Sequence, residues 1–269
     1  MSPMARRAAD PVRAASLLAE GDPPPVQVLR AGARSPWLLI ADHAGQAVPA
    51  KLGRLGLPQH ELDRHIGWDI GIAGVTARLA DMLDACAILQ AYSRLVIDCN
   101  RPLDAPGSIV AHSDGTDVPG NAGPDAEARN SRIAEIFAPY HARIGAELDQ
   151  RAHERRSTIL VAMHSFTPEM GGIARPWHAG VLYQRDAQLA HALRDLLREE
   201  GDLVVGDNQP YAVSDATDYA IPVHAERRGL PHVELEIRQD LIADAAGQQA
   251  WAERLARLFG ALQEGFAPD

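Results

Sequence analysis

Cysteine is scarce. The 269 residues include two, Cys86 and Cys99. They do not form a CxxC pair, and two are too few for a disulfide framework or a thiolate metal site, so both read as buried thiols. Positive charge is in deficit as well. Lys and Arg number 26 against 36 Asp and Glu, for a formal net charge of -10. A basic face of the kind that nucleic acid needs is therefore not expected. A small anionic substrate needs only a few local arginines and is not excluded. Long apolar runs are missing too: no stretch approaches the roughly 20 residues that cross a bilayer. The first 25 residues carry arginines without a continuous apolar segment, which argues against a secretory signal. These absences lead to the expectation of a cytoplasmic enzyme, and a monomer or small homo-oligomer is expected without a sequence feature that decides between them.

What is present suits one hydrophobic core of normal size, with 46% hydrophobic and 23% charged residues. Residues 1–25, ending in Pro23-Pro24-Pro25, read as a flexible arm, and residues 26–269 as a single domain. Apolar runs at residues 36–41, 95–98, 158–163, 180–183, 203–205 and 232–237 read as strands. Helical spacing marks residues 69–84, 126–154, 187–200, 216–228 and 248–264. Strands that alternate with helices predict an α/β fold with a mixed, largely parallel sheet. Residues 102–124 are rich in Pro, Gly, Asp and Ser and form a long loop, a feature that is usually functional or mobile. Ligands of open α/β sheets bind at the carboxyl ends of the strands. Polar clusters fall at such ends: Asp42-His43, residues 98–101, His164-Ser165 and residues 236–240.

His43 and His164 each follow a buried strand. Imidazole is a favoured zinc ligand, and a catalytic zinc site takes about three protein ligands with one position open. Either histidine alone is equally explained as a hydrogen-bonded core residue. On the strand at residues 232–237, side chains alternate faces, so Glu234, Glu236 and Arg238 share one side. Charges on a buried strand are costly unless paired or functional. Arg94 and Arg101 flank the run at 95–98, and a guanidinium fork suits a carboxylate. Arg101 is also explained by pairing with Asp98 or Asp104. Ser165 lies in no GxSxG elbow and reads as a neighbour of His164, not a nucleophile.

The runs ADHAGQAVP, HIGWDIG, YSRLVIDCNRP, HSFTP, GDNQPY and VELEIRQDL together resemble the N-formylglutamate amidohydrolase family, from His43 to about Ile242. More distantly, the pattern is similar to zinc carboxypeptidases and aspartoacylases. The resemblance implies a three-layer αβα, zinc-exopeptidase-like fold, a zinc cofactor, and hydrolysis of an N-formyl or N-acyl amino acid that carries a carboxylate. It matches His43 and His164 to metal ligands and Glu236 to the catalytic carboxylate. Arg238 is placed beside Glu236 as a catalytic candidate, with Glu234 as the fallback base. Arg94, Asn100 and Arg101 match a substrate-carboxylate clamp. The HxxE pattern of the carboxypeptidases is broken, because Gln46 stands where a glutamate ligand is expected. An amide oxygen is a poor zinc ligand, so Asp69 is the preferred third ligand, ahead of Asp63 and His65. Asp69 is equally explained as a helix cap. His178, Asn208 and Tyr211 are candidates to line the substrate pocket, while His224 and His232 read as structural. A peptidase or deacylase with another substrate, and a metal-free binding protein, are the alternative functions.

Overall fold

The computed structural model describes residues 16–267. Seven strands form the central sheet: β1 (Val26–Leu29), β2 (Trp37–Ala41), β3 (Cys86–Gln90), β4 (Ile159–Phe166), β5 (Ala179–Leu182), β6 (Val205–Asp207) and β7 (His232–Arg238). Their spatial order is β1-β3-β2-β4-β7-β5-β6. The inner strands β3, β2, β4 and β7 run parallel. β1 joins one side antiparallel, and β5 joins β7 antiparallel with β6 parallel beyond it. Every residue of β2, β3 and β4 is buried, as expected for parallel strands covered on both faces.

Helices cover the two faces. One carries α1 (Ile72–Leu83), α4 (Gln188–Glu199) and α5 (Ala245–Phe266), packed on Leu39, Val161, Val233 and Leu235. The other carries α3 (Ala138–His153), which buries Tyr140, Ile144 and Leu148 against Leu38, Ile88 and Leu160. It is preceded by α2 (Ala126–Arg132) and a π-turn at Ile133–Phe137. Pro139 supplies no N–H to the preceding turn, which explains why one expected helix at 126–154 carries this irregularity. α1 shows why the local sequence ends up where it does. Ile72, Val75, Leu79 and Ala80 make its buried stripe. Gly71 before it has φ 83°, and a Cβ there would lie 2.1 Å from the Ile242 carbonyl oxygen. Only glycine allows this approach.

Three expected elements differ. Residues 95–98 are not a strand but a buried turn, held by Val96 N–H to the Ser93 carbonyl and Asp98 N–H to the Ser108 carbonyl. A short apolar run is also what a buried loop looks like, and the strand of this region is the preceding β3. The strand expected at 203–205 lies at Val205–Asp207. The helix expected at 216–228 is a π-turn at Ile221–Ala225 and a 3-10 turn at Glu226–Arg228. Of the expected N-terminal arm, residues 1–15 lie outside the described residues. Ser16 Oγ and the Leu17 and Leu18 N–H groups dock on the Glu135 carboxylate at 2.6, 2.5 and 3.0 Å, with Leu17 buried. No helix among the described residues is long and apolar enough to cross a membrane.

Candidate metal and substrate site

The carboxyl ends of β2, β4 and β7 open into a cavity of about 440 Å³. Its lining includes His43, Asp69, Arg94, Asp98, Asn100, Arg101, His164, Tyr211, Asp218, Glu234 and Glu236. β2 delivers Asp42 and His43. The chain then turns through Gly45, where a Cβ would lie 2.0 Å from the Ala91 carbonyl oxygen, so only glycine passes. The His43 carbonyl accepts the Asp69 N–H at 2.9 Å, which fixes the start of the α1 segment against the end of β2. β4 delivers His164. On β7, Glu236 pairs in register with His164, and Glu234 with Ala162. Val233, Leu235 and Ile237 face the α1 side of the sheet, so strand alternation turns both glutamates to the cavity.

Asp69 sits between the two imidazoles. Its Oδ2 is 3.0 Å from His164 Nδ1 and 3.5 Å from His43 Nδ1, and it accepts the Ser165 N–H at 3.1 Å. One ligand atom from each of His43, Asp69 and His164 lies within 4.8 Å of the others. Tetrahedral zinc with bonds of about 2.0–2.1 Å holds its ligand atoms roughly 3.3 Å apart, and the two edges from Asp69, 3.0 and 3.5 Å, bracket that value. The far nitrogens are backed by carboxylates. His43 Nε2 is 2.7 Å from Asp98 Oδ1, and His164 Nε2 is 3.5 Å from Asp42 Oδ2. A carboxylate behind a ligating histidine fixes ring orientation and raises ligand basicity. His43 Nδ1, His164 Nε2 and both Asp42 oxygens are buried without a hydrogen-bond partner, so Asp42 faces His164 at ion-pair distance and not through a hydrogen bond.

Charge balance points the same way. Asp42, Asp69, Asp98, Asp218, Glu234 and Glu236 are all buried, and few cations face them. Uncompensated buried charge is costly, and a divalent cation offsets it. Burial alone would raise Asp69, but the His43 and His164 imidazoles outweigh it and lower its pKa. Burial and Arg94 depress His43, yet Asp98 and Asp69 prevail and raise it. Burial likewise opposes the rise of His164, which Glu234, Asp42 and Asp69 impose. Glu236 is pushed up to about 7, mainly by burial and further by Asp69, against the pull of His164. Its Oε2 is buried without a partner. Glu234 is pushed up to about 8 by burial, with Asp218 and Glu236 adding to the rise.

The other expected site residues are placed unevenly. Gln46 is exposed and outside the cavity lining, whereas Asp69 lies between the histidines. Asp69 does not cap α1, whose N-cap is Gly71. Arg94 lines the cavity, but Nε and Nη2 fork onto Asp98 Oδ2 at 3.1 and 2.7 Å, and Nη1 is 3.6 Å from Asp69 Oδ1. The Asn100 amide nitrogen lies 3.4 Å from both Asp218 and Glu234, and its oxygen accepts the Tyr219 and Ala220 N–H groups at 3.0 Å. Arg101 donates to the Thr217 carbonyl and stands 3.7 Å from Asp218. Tyr211 lines the cavity. Three candidates are not brought into its lining. Arg238 points away to Asp240 at 2.8 Å, because it lies at the very end of β7. His178 Nδ1 accepts the Val204 N–H. Asn208 Oδ1 accepts the Tyr183 N–H from a positive-φ turn. His65, a weaker metal candidate, lines the cavity but faces Asp114 at 3.1 Å. Asp63 accepts from Gln59 outside it. Asp42, Asp98 and Asp218 were not singled out as site residues from sequence. The sequence signal is partial: Asp42 follows the buried strand β2, and Asp98 ends an apolar run that is a turn and not a strand.

No curated protein matches this chain. Among solved structures, a gene product of Agrobacterium tumefaciens, Atu2144, superposes with a TM-score of 0.89 at 34% identity, covering 93% of this chain and 98% of the other. The N-formylglutamate amidohydrolase from Ralstonia eutropha JMP134 shares the fold with a TM-score of 0.65 at 18% identity, covering 90% and 98%. The sequence profile of N-formylglutamate amidohydrolase matches residues 35–243, and with most of its length so matched the chain belongs to the N-formylglutamate amidohydrolase family.

Proposed function

We propose that this chain is a zinc-dependent amidohydrolase that cleaves the amide of an N-formyl or N-acyl amino acid bearing a carboxylate, with N-formyl-L-glutamate as the first substrate to test. The observation that carries the reading is the buried His43, Asp69 and His164 set at the floor of the cavity, with its ligand atoms within 4.8 Å of one another. Those three residues would hold the ion. Bound there, zinc supplies Lewis acidity, which polarises an amide carbonyl and makes water a better nucleophile.

The chain's own groups account for the rest. Asp98 holds His43 through Nε2 and keeps the opposite ring nitrogen turned toward Asp69. Arg94 neutralises Asp98. Glu236 takes a proton from the attacking water at Oε2 and returns it to the leaving nitrogen. A carboxyl pushed up to about 7 is suited to both directions of that transfer near neutral pH. Burial of the floor excludes bulk water and strengthens each of these interactions. A cytoplasmic setting and a small-molecule substrate belong to the same reading.

The test is metal content of protein purified without added zinc, followed by formate release from N-formyl-L-glutamate. About one equivalent of zinc and activity that a chelator abolishes are expected. A preparation that holds no divalent metal and gains no activity on adding zinc refutes the proposal.

A further inference from the structure

The arginines nearest the floor have committed much of their charge before any substrate arrives. Arg94 faces Asp98 and Asp69, and Arg101 is held by the Thr217 carbonyl beside Asp218. A substrate carboxylate placed among them would meet the field of Asp69, Asp98, Asp218, Glu234 and Glu236. Carboxylates crowded in this way repel one another.

A different cation stands beside the cavity, outside its lining but in contact with two residues that belong to it. After β4, the chain makes a short hairpin whose strands are Glu169–Met170 and Ile173–Ala174. Arg175 closes its base by donating its N–H to the Pro168 carbonyl at 2.8 Å. Pro176 follows, which favours an extended backbone at Arg175. Arg175 Nη1 donates to the Tyr211 hydroxyl at 2.8 Å, and its guanidinium lies 4.8 Å from the Tyr211 ring centre. Its Nη2 lies 2.9 Å from Met170 Sδ. Both Tyr211 and Met170 line the cavity. The tip of the hairpin is tied to Asp114, next to the cavity-lining Ser113, where Gly171 N–H donates to the Asp114 carboxylate at 3.3 Å. Among the described residues, no carboxylate lies within ion-pair distance of Arg175. Its partners are a ring, a hydroxyl and a thioether, all neutral. They fix the plane of the fork and leave its charge unspent.

We propose that Arg175, braced on Tyr211, is the specificity-determining residue that receives a carboxylate of the substrate, and that Arg94 is a positioning residue for Asp98 and Asp69. The proposal rests on the reading of this cavity as an amidohydrolase site. A bidentate guanidinium–carboxylate pair formed beside the cavity would orient the scissile amide toward Glu236.

The experiment compares the full-length zinc-loaded wild type with Arg175→Met, Arg175→Lys and Arg101→Met on three compounds. These are N-formyl-L-glutamate, N-formyl-L-glutamine and N-formyl-L-isoglutamine, the last two each lacking one carboxylate. Arg175→Met is expected to raise KM for N-formyl-L-glutamate about 10- to 100-fold, with kcat within about threefold. The penalty is expected to vanish on the one amide whose missing carboxylate Arg175 would hold, as a double-mutant cycle requires. Arg175→Lys should recover part of the loss. An unchanged KM, an equal rise on all three compounds, or a selective loss in Arg101→Met alone overturns the proposal. Calorimetry with L-glutamate gives a reading without turnover: at least tenfold weaker binding to Arg175→Met is expected, and equal affinity overturns it. If the wild type hydrolyses none of the three compounds, the amidohydrolase reading fails, while the calorimetric comparison still decides the role of Arg175.

Discussion

Beneath the site, His141 and His224 form a buried pair whose protonation can be worked out from hydrogen bonds. His141 Nε2 lies 2.9 Å from the Cys99 carbonyl oxygen, which can only accept, so that nitrogen carries the proton. In a neutral ring, Nδ1 is then an acceptor, and His224 Nε2, at 2.9 Å, must donate to it. A second proton on His141 Nδ1 requires His224 to shift its own proton to Nδ1, so that Nε2 can accept. Burial lowers both residues, His141 to about 4 and His224 to about 3, with His141 also depressing His224. The sign follows directly. Below the ordinary value of 6.5, the unfolded chain binds protons that the folded pair refuses, so stability falls as pH drops from 6.5 toward 4. At pH 5.0 the unfolded His224 is favoured for protonation by a factor of roughly 30, a cost of about 2 kcal/mol, against about 0.1 kcal/mol at pH 7.5. His224→Gln keeps an N–H donor for His141 and removes this titration. Urea unfolding of variant and wild type at both pH values is the assay. Any penalty of the variant at pH 7.5 should shrink by about 2 kcal/mol at pH 5.0. A difference between the two proteins that stays constant within about 0.5 kcal/mol across that range would refute the depressed protonation of the pair. The difference must be used because other groups oppose it: Glu234 and Glu236, raised to about 8 and about 7, make the folded state more proton-hungry over the same window.

Three further outcomes follow from the same geometry. Glu236→Gln should cut kcat for N-formyl-L-glutamate about 10²- to 10⁴-fold with KM changed only a few-fold; steady-state kinetics checks this, and a kcat within a few-fold of wild type removes Glu236 from proton transfer. Asp98→Asn, which weakens the support behind His43, should loosen zinc about 10- to 100-fold, as measured by chelator competition, and unchanged affinity would contradict the bracing role. Leu79→Ala, at a fully buried position between α1 and the sheet, should cost about 2–5 kcal/mol in chemical denaturation without changing the substrate KM.

The sequence is most informative where strand ends and polar residues coincide. PWLLIADH and TILVAMHS each show a buried run followed within two residues by a histidine, and both histidines reach the floor. HVELEIR shows its two-faced character by alternation, and both glutamates face the cavity. Charge pairing is less legible. Nothing in SRLVIDCNR says whether Arg94 spends its fork on Asp98, four residues on, or on a ligand, because that depends on a turn at 95–98 that looks like a strand. β1 and β3 are hard to see for a related reason: VQVL is short, and CAILQ, buried on both faces, shows no period. Arg175 is invisible at this level, since its neighbour Tyr211 is 36 residues away in sequence and nothing local links them.

The place of β7 in the sheet has a kinetic consequence. β5 and β6 are synthesised before it, yet they attach to the sheet only through it, since β7 lies between β4 and β5. A nascent chain that has passed Asp207 therefore has a ready edge at β4 and no seat for β5 and β6. Long-range parallel pairing is slow to form and leaves strand edges open meanwhile. Both histidines and Asp69 precede this step in the chain, and Glu236 arrives with it. The three proposed metal ligands can thus gather before the proposed proton carrier does, and on that reading the site is complete only when the last strand threads into the middle of the sheet.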